Sequence, residues 1–294
     1  MCRFVAHLGE RVLLDDILFE PDSSIIDQAV YPQMLSALNL AGFGLLAWDG
    51  ESPGAELPYA YRTAAVPFYD RNLRALSRKV RATALIAHVR GVIFSDREVV
   101  NEQNVHPFRY EGVPVGLAMN GDLDRFPEMR ADVAELVAPE VSRRVEGTTD
   151  SEWLYALILS QLRDPTAPAD PEELAAAVER SLRIVREVRE RRGLQRQSAV
   201  NLVLSDGRCM VATRFAYDYG WYHEGWTFAG GERRYDYTTL WYAAGAGGPD
   251  ESLVVASEPL TRDREGWLES PEYSLLIAES GPGGVAVETR ELDA

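Results

Sequence analysis

Little in this chain invites a disulfide framework, a metal or a membrane. Only two of its 294 residues are cysteine and four are histidine. Cys2 and Cys209 do not make the crosslinked scaffold of a small secreted domain. His7, His88, His106 and His223 are dispersed, and none has metal-ligand spacing to a second His or Cys, so no metal centre is expected. No apolar run approaches the ~20 residues that span a bilayer. No charged and apolar leader precedes the first strand-like segment, and a cytoplasmic location is expected. Basic residues are outnumbered: 30 Lys and Arg against 46 Asp and Glu leave a formal charge of −16. Neither a nucleic acid nor an anionic membrane surface suits such a chain as a partner. No cofactor is expected.

What is present is the composition of a folded protein, 46% hydrophobic and 10% aromatic, long enough for one large domain or two ordinary ones. Strand-like runs recur at Cys2–Leu8, Phe43–Trp48, Leu85–Arg90, Val113–Met119, Val200–Leu204 and Cys209–Phe215. Others follow at Trp221–Phe228, Leu240–Ala244, Leu253–Ala256, Tyr273–Ala278 and Gly284–Glu288. Turn residues bound most of them, and Ser205-Asp206-Gly207 reads as the turn of a hairpin. Helical spacing predicts helices over Tyr69–Lys79, Glu128–Val137, Ser151–Leu162 and Pro171–Arg192. Many short strands with inserted helices point to two stacked, largely antiparallel sheets flanked by helices. The Pro-rich stretch from Asp164 to Pro171 could mark a boundary. Strands lie on both sides of the helical block, however, and neither half looks complete, so one domain over 2–294 is expected.

The chain opens Met1-Cys2-Arg3-Phe4. Removal of Met1, expected before a small residue, would give Cys2 both a thiol and a free α-amine. The amine titrates near pH ~8 and the thiol near ~8.5. One residue could then act as nucleophile and as its own general base. Ala87-His88-Val89-Arg90 ends an apolar strand on a guanidinium whose planar fork suits a carboxylate. In Asn104-Val105-His106-Pro107, the His before Pro is held extended. Packing and hydrogen-bonding a loop is favoured for His106 over acid–base work, and it joins Arg90 and Asp150 as a candidate substrate-binding residue. Asn120-Gly121 is first a turn signal. It can also aim an amide and an unhindered N–H at one point, as an oxyanion hole requires. Thr149 and Glu152 have capping-box spacing around Asp150, which could also meet an ammonium group. Cys209 lies in an apolar run and reads as a buried inert thiol.

Taken in order, Cys2, the segments at Ala87–Arg90 and Asn104–Phe108, Asn120-Gly121 and Thr149–Glu152 resemble the class II glutamine amidotransferases, which are N-terminal-nucleophile hydrolases. Leu202–Gly207 and Ala256-Ser257-Glu258-Pro259-Leu260 with Trp267 are similar to a stand-alone subgroup that includes the γ-glutamyl hydrolase of ergothioneine biosynthesis. The resemblance implies an α+β fold, a four-layer αββα sandwich. It also implies Cys2 as nucleophile and base, Arg90 for a substrate α-carboxylate, Asp150 for its α-ammonium, and Asn120 with Gly121 for the oxyanion. A γ-glutamyl group has one carboxylate, one ammonium and one carbonyl, to which these residue types are complementary. Departures are Gly42-Phe43-Gly44, where the family often has Gly-Trp-Gly, and Gly91-Val92-Ile93-Phe94, where it has a Thr-rich stretch. Aromatic-rich insertions at Ser52–Tyr61 and Trp221–Tyr237 either shape an acceptor or partner surface or have no function.

The expectation is a hydrolase of glutamine or a γ-glutamyl amide, acting through a thioester on Cys2, with a small-molecule substrate and with a separate synthetase as the conceivable partner. The rivals are an N-terminal-Cys hydrolase of the bile-salt or penicillin type, which leaves Arg90 and Asp150 without purpose, and a non-catalytic γ-glutamyl-binding subunit.

Overall fold

The computed structural model describes residues 2–34, 38–92, 100–219, 239–245 and 251–294. The strand expected over Trp221–Phe228, the insertion Trp221–Tyr237, the turn Gly247-Gly248-Pro249 and the pair Ile93-Phe94 lie outside these residues. The chain begins with β1 (Arg3–Leu13), α1 (Leu14–Leu18), α2 (Ile25–Gln28), β2 (Phe43–Trp48) and β3 (Tyr59–Thr63). It continues through α3 (Arg71–Ser77), β4 (Arg81–Val89), β5 (Gly116–Gly121), α4 (Phe126–Leu136), α5 (Pro139–Ser142), α6 (Asp150–Leu159) and α7 (Pro171–Arg191). The remainder is β6 (Ser198–Ser205), β7 (Cys209–Arg214), β8 (Ala216–Tyr217), β9 (Trp241–Ala244), β10 (Leu253–Ala256), β11 (Leu268–Glu269), β12 (Ser274–Gly281) and β13 (Gly284–Glu291).

Two sheets result, with every pairing among the described residues antiparallel. One has the order β11-β9-β10-β1-β4-β2-β3; the other runs β13-β12-β7-β6-β5, with β8 paired to β6. Side-chain alternation divides their residues between layers. Phe4, Ala6, Leu46, Trp48, Ile86, Ala118, Val203, Ala212 and Leu276 interdigitate between the sheets. Val5, Leu45, Leu85 and Ala87 face outward, where Leu14, Ile17 and Ile25 of α1 and α2 and Leu73 of α3 cover them. On the opposite outer face Leu117, Leu202, Val211 and Ile277 pack under α4, α6 and α7. The layers are therefore α, β, β, α, as expected.

Helix α7 shows why these residues form these elements. Asp170 caps it through bonds from the backbone N–H groups of Glu172 and Glu173 at 2.9 and 3.2 Å, and Pro171 occupies its first turn. Leu174, Val178, Leu182, Val185 and Val188 form its fully buried stripe. The same cluster takes in Leu154, Leu157 and Ile158 of α6, so the Pro-rich stretch joins two helices that share one core.

The end of the Ser52–Tyr61 insertion enters the edge strand β3, which pairs Tyr61 with Leu45. Two local expectations are corrected. Asn120-Gly121 is not a turn: both residues lie in the β5–β6 ladder, opposite Asn201 and Val200. Thr149 accepts from the Glu152 N–H at 3.3 Å, but the Glu152 carboxylate turns to the N–H groups of Glu146 and Gly147, so the reciprocal half of a capping box is absent.

Candidate active site

The two-residue period of the strands assembles the site. Phe4 of β1, Ile86 of β4 and Ala118 of β5 point into the seam between the sheets. Cys2, His88, Arg90 and Asn120 each lie an even number of residues from one of these and share its face. Register does the rest: Arg3 pairs with Val89, so Cys2 and Arg90 lie just beyond the last pair of the β1–β4 ladder.

Cys2 is half-buried and free, with Sγ 3.5 Å from both the carbonyl and the N–H of Gly91. Its own carbonyl accepts from Arg3 Nη1 at 2.9 Å. Arg3 is buried, with Nε 3.4 Å from Glu258 Oε2. That Nε makes no well-aligned hydrogen bond, so the contact is an ion pair held by charge rather than direction. The Glu258 oxygens also accept from the N–H groups of Gln33 and Met34, both at 3.0 Å. Ser257 continues the β10–β1 pairing: its Oγ accepts from Phe4 N–H at 3.1 Å and its N–H donates to Phe4 O at 3.0 Å. Arg90 is 5% exposed, and its backbone is fixed at both ends by Gly42 O and Ala41 N–H. Cys209 lies far along the chain, buried and free, and burial pushes its thiol up.

On the facing sheet Asn120 is 2% exposed, and its side-chain oxygen has no hydrogen-bond partner among the described residues. Gly121 has φ of 154°, and a Cβ there would stand 1.8 Å from Ala199 O. Only glycine fits. Its neighbour Leu123 donates to Asp150 Oδ2 at 2.6 Å, while Asp150 Oδ1 accepts from the N–H and Oγ of Ser151. Asp150 therefore stands beside the end of β5 with its carboxylate already tied to the protein. Burial pushes its carboxyl up. Asp122 directly follows Gly121, is reached by solvent, and accepts no hydrogen bond from a described residue. The neighbouring carboxylates of Asp150 and Asp124 push its carboxyl up.

The two halves are joined by a histidine pair. His88 of β4 is buried, with Nε2 3.2 Å from Met119 O and 3.1 Å from His106 Nδ1. His106 Nδ1 accepts from Met119 N–H at 3.3 Å. Burial pushes both imidazoles down, His88 to about 3 and His106 well below its ordinary value. Both rings are neutral at ordinary pH. His106 thus bonds to β5 and to His88, and its Nδ1 is taken up by these protein groups.

Sequence reasoning missed His88, Arg3, Glu258 and Asp122 as parts of this site. His88 and Arg90 share one strand face, which was a readable signal. The partners of Arg3 and His88 lie 255 and 31 residues away and left none. Among the described residues no group of His, Cys, Asp and Glu could hold a metal ion, and no helix is long and apolar enough to cross a membrane. A cavity of about 510 Å³ lined by Arg62, Arg109, Arg144 and Glu152 contains none of the site residues.

The family model described as class-II glutamine amidotransferases matches residues 36–292. A Saccharomyces cerevisiae protein named "Probable glutamine amidotransferase DUG3" is similar, 25% identical, with 94% of this chain and 81% of that protein covered. A glutamine aminotransferase class-II domain protein from Silicibacter pomeroyi shares the fold, with a TM-score of 0.65 at 21% identity over 100% of both chains. The glutamine phosphoribosylpyrophosphate amidotransferase of B. subtilis gives 0.57 at 17% identity. There, 98% of this chain matches 49% of the other, so this chain spans about half that protein's length.

Proposed function

The chain belongs to the class II glutamine amidotransferases, and we propose that it hydrolyses glutamine or a γ-glutamyl amide through a thioester on Cys2. With Met1 removed, the Cys2 α-amine takes the thiol proton and the sulfur attacks the γ-carbonyl carbon. Negative charge moves to the carbonyl oxygen, where the Asn120 amide and the Gly121 N–H would receive it. One such donor is worth ~10²–10³ in kcat. The tetrahedral intermediate collapses as the C–N bond breaks. The leaving nitrogen takes the proton from the α-ammonium and departs as ammonia or an amine. Water then adds to the thioester, giving glutamate and restoring the thiol. Arg90 would receive the substrate α-carboxylate and Asp150 its α-ammonium. A separate synthetase that takes up the ammonia is a partner consistent with this chemistry.

The observation that carries this reading is the placement of Cys2, Arg90 and Asn120 on facing sides of one seam, at the ends of β1, β4 and β5. The test incubates the protein with L-glutamine and a panel of γ-glutamyl amides and follows glutamate and amine. Wild type is expected to turn over with Met1 absent by intact mass, and Cys2→Ala to be folded and inactive. Full activity in protein that retains Met1 would remove the amine-assisted mechanism.

A further inference from the structure

The residue just before Asn120 is gripped by side chains at both of its backbone groups. Met119 N–H points at His106 Nδ1 and Met119 O at His88 Nε2, while the two ring nitrogens lie 3.1 Å apart. A backbone N–H can only donate, so His106 Nδ1 is an acceptor and that ring carries its proton on Nε2. His88 Nε2 faces two acceptors, Met119 O and His106 Nδ1, and must carry the hydrogen. The remaining His88 nitrogen, Nδ1, is buried without a partner among the described residues, as a bare lone pair in a neutral ring would be. Donors and acceptors match in one arrangement alone.

We propose that His88 and His106 are positioning residues for the oxyanion pair, acting as a neutral clamp on the N–H and C=O of Met119 that fixes where Asn120 and Gly121 point. The clamp rests on the reading of Asn120-Gly121 as the oxyanion site. Alternation makes it effective: Met119 faces the helical layer, so holding the peptide groups on either side of it sets the direction in which the Asn120 side chain enters the seam. The clamp also ties that direction to β4, because His88 lies two residues before Arg90. Without it, β5 is held at this end by pairing to β6 on one side only, since β5 is the edge of its sheet. Burial supports the neutral state by holding both rings below their ordinary range. A misplacement of about 1 Å at such a site costs ~10²-fold in rate.

Isosteric substitutions separate positioning from bulk. In His106→Asn the amide oxygen can take the place of Nδ1 as acceptor; in His88→Gln the amide nitrogen can take the place of Nε2 as donor. His106→Leu and His88→Leu keep volume and remove the function. With L-glutamine and γ-glutamyl-p-nitroanilide, the Leu variants should lose ~10–100-fold in kcat with KM within about two-fold, and Asn and Gln should recover most of it. Alkylation of Cys2 by iodoacetamide develops no oxyanion and should proceed at the wild-type rate in all four. Leu variants with kcat within two-fold of wild type would overturn the clamp. So would equal loss in Leu and isosteric variants accompanied by a matching loss of alkylation, which marks general misfolding. Asn120→Ala distinguishes the premise: if it keeps full kcat, the oxyanion reading itself has failed, whereas if it is impaired and the Leu variants are not, only the clamp has failed.

Discussion

At the scale of single residues, the two carboxylates after β5 do different work. Asp150 is bonded by Leu123, by its own helix and by Ser151 Oγ, whereas Asp122 stands open to solvent beside it. Replacing Arg90 or Asp150 by Ala would remove a charge-assisted contact worth roughly 1.5–3 kcal/mol. Steady-state kinetics should therefore show kcat/KM falling ten-fold to a few hundred-fold, and wild-type values in both variants would displace these residues from substrate recognition. Asp122 gives a pH signature instead. The nearby carboxylates of Asp150 and Asp124 raise its carboxyl above the ~3.9 of an unfolded chain. The folded protein holds this proton more tightly than the unfolded chain. The stabilisation from that retained proton is fully present below about pH 4 and is lost as pH rises through the raised value. Asp122→Asn should then lose less in Tm than wild type as pH rises from about 4 to about 8. Parallel melting curves would mean that Asp122 titrates as an ordinary surface carboxylate.

At the scale of elements, Gly121 shows how one dipeptide can fit two different local structures. Asn-Gly is a hairpin signal, yet β5 runs through Gly121 and the glycine is required by the approach of Ala199 O from β6. Gly121→Ala forces either β5 away from β6 or a turn of the very N–H assigned to the oxyanion. Overpacking of this kind costs about 1–3 kcal/mol. Denaturant melts should show that loss, and kcat per folded molecule should fall with it. A stable, fully active Gly121→Ala would show that β5 ends flexibly. The same distinction runs through the rest of the chain. Strands β2 and β10 were legible to the residue, because apolar runs bounded by turn residues define them. Helices α1 and α2 were not, being too short for a helical period to emerge, and β3 was hidden because an edge strand carries exposed Tyr59. Cys2, Arg90 and Asn120 were singled out by residue type and by the family resemblance, and the structure sets them at the ends of β1, β4 and β5. The bonds from His88 to Met119 and from Arg3 to Glu258 depend on which strands stack and which lie side by side, and local patterns do not encode that.

At the scale of the whole molecule, the Cys2 end of the chain is fastened by residues from its far end. Arg3 and Glu258 are 2% and 1% exposed in their side chains, and the pair links the peptide of Cys2 to the segment after β10 and, through Glu258, to Gln33 and Met34. Taking two charges out of water is costly, so this pair is weak evidence for stability in itself. Leaving one charge without the other costs about 3–5 kcal/mol. Glu258→Leu and Arg3→Met alone should therefore each lower the unfolding midpoint strongly, while the double variant recovers much of the loss as apolar groups fill the space. Activity should not follow stability. The Arg3 Nη1 bond to Cys2 O is absent in both Arg3→Met variants, so kcat per folded molecule should stay low even where the midpoint is restored. A double-mutant cycle in denaturant, run beside kcat corrected for the folded fraction, separates the two quantities. If activity returns together with stability in the double variant, the ion pair serves only to hold the chain closed and Cys2 is placed by the β1–β4 ladder alone.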